Sequence, residues 1–164
     1  MKTTDSQHNN PVAPNLLQRD FTADAPNTKW VADMTGIETR EGWLYLAAIV
    51  DIYSHFVVGW AMGKERDEQL ITFAAVMALE RRRPRAGLLH HSDRGSQYTS
   101  QGYQMLLKAH GIAISMSRKG GCYDNALMES FFGTVKEECT EHQKYKTRAG
   151  ARQSLFEYLE VFYV

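Results

Sequence analysis

Cysteine is scarce in this chain. Cys122 and Cys139 are the only two in 164 residues, and they fall in no paired-thiol motif, so the sequence is not a disulfide scaffold and reduced thiols of a cytoplasmic protein are the expectation. Proline is as sparse, and three of the four (Pro11, Pro14, Pro26) lie in the first 26 residues. Long apolar runs are missing: none approaches the ~18 residues of a membrane span. The polar start, MKTTDSQHNNPVAPN, has no apolar core of a signal peptide. Net charge is zero, which excludes a uniformly polycationic binder of nucleic acid or membrane.

That zero hides an asymmetry. Residues 1–80 carry six basic and eleven acidic side chains, whereas residues 81–164 carry thirteen and eight. The second half, at +5, is the one suited to face phosphate. Hydrophobic content of 43% with 23% charged residues is that of a soluble globular chain, and 164 residues make one ordinary domain.

Residues 1–28 have little periodicity and read as an N-terminal arm or linker, leaving 29–164 as the folded core. WVADMTGI (30–37), WLYLAAIV (43–50) and FVVGWAM (56–62) are short apolar segments separated by turns, which predicts a three-stranded antiparallel meander. Asp67 is a plausible N-cap for a helix running to Arg83, with Leu70, Ile71, Ala74, Met77, Ala78 and Leu79 at helical spacing. A strand at 88–92, a helix at about 100–110, a strand at 112–117, a helix from Asn125 to about Glu138 and a last helix from about Thr147 complete the order βββαβαβαα. The expected fold is α/β, a mixed sheet with helices on its faces.

Three acids stand out on that frame. Asp33 lies inside the first strand, where an ionised carboxylate must be paired, solvated or metal-bound. Asp93 ends the fourth strand, and in open sheets of this kind ligands gather at the carboxyl ends of strands. On the helix NALMESFFGTVKEE, Leu127, Met128, Phe131, Phe132 and Val135 form an apolar arc, bordered by a polar stripe of Asn125, Glu129, Gly133 and Lys136. Taken singly, each acid is equally well a satisfied structural residue. Asp51 is excluded from sharing an ion with Asp33: a hairpin turning near Arg40 puts Asp33 opposite about residue 47, leaving Asp51 roughly 13 Å further along. Adjacent His90 and His91 point to opposite strand faces and cannot readily chelate one zinc ion, although His91 shares a face with Asp93 and can orient it. The aromatic set Trp30, Trp43, Tyr45 and Trp60 reads as sheet core.

WVADMT, HSDRGSQYTS and DNALMESFFGTVKEE together resemble the three blocks of insertion-sequence transposases with a retroviral-integrase-like, Asp-Asp-Glu catalytic core. Thirty-five residues separate Asp93 from Glu129, the interval typical of that family, and Lys136 matches its basic residue seven positions after the glutamate. The resemblance covers about residues 12–164. It implies an RNase H-like fold, with a five-stranded sheet of three antiparallel and then two parallel strands. It further implies two-metal phosphodiester cleavage and strand transfer, with two Mg²⁺ ions (Mn²⁺ as substitute), Asp33 bridging, Asp93 on one ion and Glu129 on the other.

DNA, as element ends and target, is the implied partner, with a homo-oligomer in the active complex and the bacterial cytoplasm as location. Lys136, Arg118, Lys119, Asn125 and Gln97 are the candidate DNA contacts; the glycines of RKGG make 118–121 a basic loop suited to follow a strand. Gly121 and Tyr123 stand where the family more often has Asn and Trp. Family members generally continue beyond EYLEVFYV through a basic segment, so the expectation is a core shortened at its C-terminal end. Two other readings stay open: an RNase H-like nuclease that only hydrolyses, and an inactive remnant that binds DNA or intact transposase.

Overall fold

The computed structural model describes residues 12–18, 20–95, 97–117, 126–140 and 143–162. A hairpin of β1 (Lys29–Thr39) and β2 (Gly42–Asp51) leads to β3 (Val57–Gly63). Then come α1 (Glu68–Arg82), β4 (Leu89–Ser92), α2 (Gln101–Ala109), β5 (Ala113–Met116), α3 (Ala126–Val135) and α4 (Arg148–Phe162). The order is the expected one, and the sheet runs β3-β2-β1-β4-β5. β1–β2 and β2–β3 pair antiparallel, β1–β4 and β4–β5 parallel.

Alternation along the strands splits the core into two layers. Trp30, Ala32 and Met34 face α1 and α2, where they meet Ile71, Ala75, Tyr103 and Leu107. Val31 and Ile37, with Leu44, Leu46, Ala48 and Val50, face Met128, Phe131, Phe132 and Val135 of α3 and Ala151, Leu155 and Leu159 of α4. β1 is therefore buried on both faces and flanked on both edges. α1 begins as expected, with the Asp67 carboxylate accepting the Leu70 N–H.

Three details differ from expectation. The hairpin closes on a two-residue turn, Thr39 facing Gly42, so Asp33 pairs with Ala48 and Asp51 with Trp30. Gly42 at φ +123° permits this tight closure. The helix of α3 stops at Val135 and continues as a π-helical turn, Lys136–Thr140. The widened turn sets Cys139 against α4, where its Sγ lies 3.5 Å from Ser154 Oγ and its carbonyl accepts the Tyr145 hydroxyl. Finally, part of the expected arm lies along the edge strand β5. Met116 N–H donates to Pro14 O, the N–H groups of Leu16 and Leu17 both donate to Ser115 Oγ, and Leu17 is buried. An otherwise open sheet edge is thereby covered.

Candidate active site

The parallel β1–β4 ladder pairs Val31 with His91. Asp33 stands two residues beyond Val31 inside β1, and Asp93 opens the loop directly after β4, two residues beyond His91. Each carboxylate is anchored locally: Asp33 Oδ1 accepts the Met34 N–H and Asp93 Oδ1 the Gly95 N–H, both at 2.8 Å. Burial raises the Asp93 carboxyl above its ordinary range, and the Gly95 N–H pulls the other way. Both acids bear on Tyr98, whose phenol is raised well above its usual value by burial first, then by the charges of Asp33, Tyr103 and Asp93. Tyr98 is a neighbour of the pair that was not anticipated, although it stands in the same sequence block as Asp93. A cation between the carboxylates would offset their mutual repulsion and the desolvation of Asp93.

Glu129 projects to solvent from α3, and Lys136 opens the π-helical turn two helical turns on. Among the described residues, no three His, Cys, Asp or Glu side chains stand close enough together to hold one ion. Asp33 and Asp93 thus share Tyr98 as a neighbour, and Glu129 stands on α3. Carboxylates are hard oxygen donors of the kind Mg²⁺ and Mn²⁺ prefer, so Asp33 and Asp93 fit a divalent cation by donor chemistry.

Asp51 serves the fold. It is fully buried, its carboxylate accepts N–H groups of Asn27 and Tyr53, and Arg82 Nη1 lies 3.9 Å away. Gln97 is half-buried and donates its amide N–H to Arg66 O at 2.9 Å. Lys136 is half-buried, and burial lowers its ammonium below the usual lysine value. Arg118, Lys119 and Asn125 lie outside the described residues.

The two histidines do face opposite ways. His91 Nδ1 lies 2.8 Å from Ser115 Oγ, which already accepts two backbone N–H groups. The hydroxyl hydrogen is left to donate to His91, so the imidazole proton sits on Nε2. His90 Nε2 lies 2.7 Å from the Tyr103 hydroxyl in a ring cluster with Tyr98. Burial lowers His90 to about 4 from 6.5. The unfolded chain therefore binds a proton between pH 6.5 and 4 that the folded chain refuses, and stability falls as pH drops through that window. The loss reaches about 3 kcal/mol, each tenfold change in proton affinity being worth about 1.4 kcal/mol. Urea unfolding at pH 7 and pH 4.5 of the parent and His90→Gln checks this: the parent should lose more on acidification, and equal losses would refute it.

The five-stranded sheet of three antiparallel and then two parallel strands, with helices on both faces, defines the RNase H-like class. Solved structures with the same fold include the HTLV-2 integrase catalytic core domain in complex with magnesium (TM-score 0.65, 18% identity, 84% of this chain and 86% of that one). Another is a simian T-cell lymphotropic virus intasome in complex with the PP2A regulatory subunit B56 gamma (TM-score 0.69, 17% identity, 94% and 54%). Two profiles described as "Integrase core domain" match residues 23–122 and 110–162. The chain belongs to the integrase core domain family. At 52% identity over 161 residues it is similar to the insertion element IS600 uncharacterized 31 kDa protein of Shigella sonnei, covering 98% of this chain and 59% of that protein. At 46% over 156 residues it is similar to the transposase InsF for insertion sequence IS3A of Escherichia coli K12, covering 95% and 54%. The chain thus spans somewhat over half the length of these relatives. Among the described residues, no helix is long and apolar enough to cross a membrane.

Proposed function

We propose that this chain is the catalytic core of an insertion-sequence transposase, which cuts a phosphodiester at a DNA end and transfers the exposed 3′-hydroxyl to a second DNA. The observation supporting this reading is that the parallel β1–β4 ladder leads to both aspartates, each two residues beyond the Val31–His91 pair, with both charges bearing on Tyr98 and burial disfavouring the lone charge of Asp93. Asp33, Asp93 and Glu129 are the residues that would hold two Mg²⁺ ions, which when bound stabilise the charge developing on attacking and departing oxygens. Gly95 and Met34 fix the orientation of the two aspartates through their N–H groups. Lys136 supplies positive charge on the glutamate's side of the site, where a DNA phosphate is its proper partner. Cleavage and joining differ only in the nucleophile, water or a 3′-hydroxyl, so one site serves both. Arg118, Lys119, Asn125 and Gln97 are further proposed DNA contacts, and the active complex is proposed to be a homo-oligomer.

The test supplies the full chain with labelled duplex ends bearing a free 3′-hydroxyl, a target plasmid and Mg²⁺. Joined products are expected with Mg²⁺ or Mn²⁺. Excess chelator should abolish them, and Ca²⁺ should bind without turnover because its larger, looser coordination spoils the in-line geometry. Nicking without joining would replace the proposal with a hydrolytic nuclease, and DNA binding without either would mark a catalytically inert remnant.

A further inference from the structure

The loop that carries Asp93 is pinned by a cluster of rings. Trp43, expected in the sheet core, is 38% exposed, whereas Tyr98, Tyr103 and His90, none of them in that aromatic set, are at most 2% exposed. Tyr98 and Tyr103 belong to the core layer of Trp30, Ala32 and Met34. Tyr98 meets Tyr103 edge-on at a centroid distance of 5.7 Å and the His90 ring at 6.3 Å. His90 and Tyr103 close the triangle at 5.5 Å, with the imidazole Nε2 and the hydroxyl 2.7 Å apart. Rings at these angles and separations attract beyond the area they bury, and the hydrogen bond fixes two of the three. His90 is held on both sides in turn, paired with Trp30 of β1 and Ile114 of β5. The seat of Tyr98 is thus built on a strand flanked at both edges.

From that seat the hydrogen bonds lead to Asp93 in two steps. The N–H groups of Tyr98 and Thr99 both donate to Gly95 O, at 3.1 and 3.2 Å, and the Thr99 hydroxyl donates to the same oxygen at 3.3 Å. Gly95 N–H then donates to Asp93 Oδ1 at 2.8 Å. Gly95 thus receives the turn's hold on its carbonyl and passes it to the carboxylate through its amide. Thr99 grips the same carbonyl and is buried as well, but it adds no ring to the cluster. At neutral pH the cluster is uncharged, because burial holds His90 down at about 4 and both phenols up. It therefore shapes the site without competing with a cation for the carboxylates.

We propose that Tyr98 is a positioning residue for Asp93: its ring, held between His90 and Tyr103, fixes the turn through which Gly95 aims the carboxylate, and so sets how tightly the acids take up a divalent cation. The cation half rests on the transposase reading, and the aiming of Asp93 does not. A carboxylate free to rotate must be ordered when a metal binds, and the affinity falls by that ordering; one oriented beforehand avoids the loss. A ring that merely filled the core would be replaceable by any side chain of similar bulk, with a change in stability alone. Because the ring makes the contacts, phenylalanine should serve in place of Tyr98 and leucine should not.

Two readouts on the full chain separate positioning from stability. Amide hydrogen exchange at Gly95 is followed by NMR in chelator, and Mn²⁺ uptake is titrated separately through the electron paramagnetic resonance of the free ion. Tyr98→Leu should speed Gly95 exchange relative to the amides of β2 and weaken Mn²⁺ uptake by about 10-fold or more, the usual effect of removing a residue behind a metal ligand. Tyr98→Phe, which keeps the ring, should stay within about twofold of the parent in both. Leu155→Ala, a cavity in the opposite core layer, should lower the unfolding midpoint and leave both readouts parental. Tyr103→Phe removes only the hydroxyl beside His90; it should loosen Gly95 in the same direction, and it decides the matter if Tyr98→Leu does not fold. Parental Gly95 exchange or parental Mn²⁺ affinity in folded Tyr98→Leu, or equal losses in Leu155→Ala, would overturn the proposal. A parent that takes up no Mn²⁺, with Gly95 loosened in Tyr98→Leu, would sink the metal reading of the acids and keep the aiming of Asp93.

Discussion

Asp93→Asn is expected to abolish DNA cleavage and joining while raising stability at neutral pH. The asparagine Oδ1 can still accept the Gly95 N–H that Asp93 accepts at 2.8 Å, so the loop after β4 keeps its anchor. What disappears is a negative charge that burial disfavours, together with its repulsion from Asp33 in the metal-free site. A carboxyl raised above 3.8 on folding holds its proton in the folded chain when the unfolded chain has lost it, so Asp93 reduces stability as pH rises above that value. The advantage of Asp93→Asn should therefore be present at pH 7 and vanish below pH 3.8. Activity moves the other way. On the proposed function, losing a carboxylate that would hold metal forfeits several kcal/mol of transition-state stabilisation, about a thousandfold or more in rate. Asp33→Asn and Glu129→Gln should match that loss, with Glu129→Gln nearly neutral for folding because the side chain is exposed. Thermal unfolding with and without Mg²⁺, beside a nicking assay, reads both halves. A variant that cleaves at near-parental rate removes its residue from the site.

Much of this architecture was legible because alternation and helical spacing survive in single segments. WLYLAAIV could only alternate between two buried faces, and the apolar arc of α3 announced both its buried side and the exposure of Glu129. Registers are less legible. The one-residue difference opposite Asp33 arose from the turn, where Gly42 adopts φ +123° and closes a shorter loop. The π-helical turn at Lys136–Thr140 leaves no mark on hydrophobic periodicity, since it changes which carbonyl each N–H meets and not which side chains are apolar. The role of Asp51 was hidden for another reason: its partners Asn27, Tyr53 and Arg82 are assembled only when the strand ends pack. The hairpin tip meets a segment a hundred residues later, through Arg148 bonds to Glu41 and Trp43. No local pattern could have paired them.

Gly59 shows how a fold can demand a residue that the sequence leaves unexplained. It sits inside FVVGWAM, paired with Ile49 of β2, where glycine weakens a strand by offering no side chain to pack. Its φ is not in the left-handed region, so conformational freedom is not the reason. Contact is: a Cβ there would overlap the carbonyl oxygen of Ala74 and stand 2.9 Å from both Cβ and N of Ala78. The backbone of α1 thus passes directly over β3, and Ala74, Ala75 and Ala78 are the small residues that permit it. Gly59→Ala must push the helix outward, loosening Leu70, Ile71 and Leu79 from the core layer they share with Trp30 and Met34. Overpacking against backbone that cannot rotate away places the cost at about 3 kcal/mol, the upper part of the usual range. For a chain of this size that lowers the thermal midpoint by roughly 6–12 °C. Gly133→Ala should do the opposite. Its Cβ would meet nothing within 4 Å and lies on α3, so the change should stabilise by about 0.5–1 kcal/mol through reduced freedom of the unfolded chain. The two substitutions add the same methyl group, so propensity scales alone would not separate a strand alanine from a helix alanine by this much or in this direction. Parallel urea titrations of parent, Gly59→Ala and Gly133→Ala decide the matter. If Gly59→Ala unfolds at the parental midpoint, α1 does not approach β3 as closely as the packing of this layer requires.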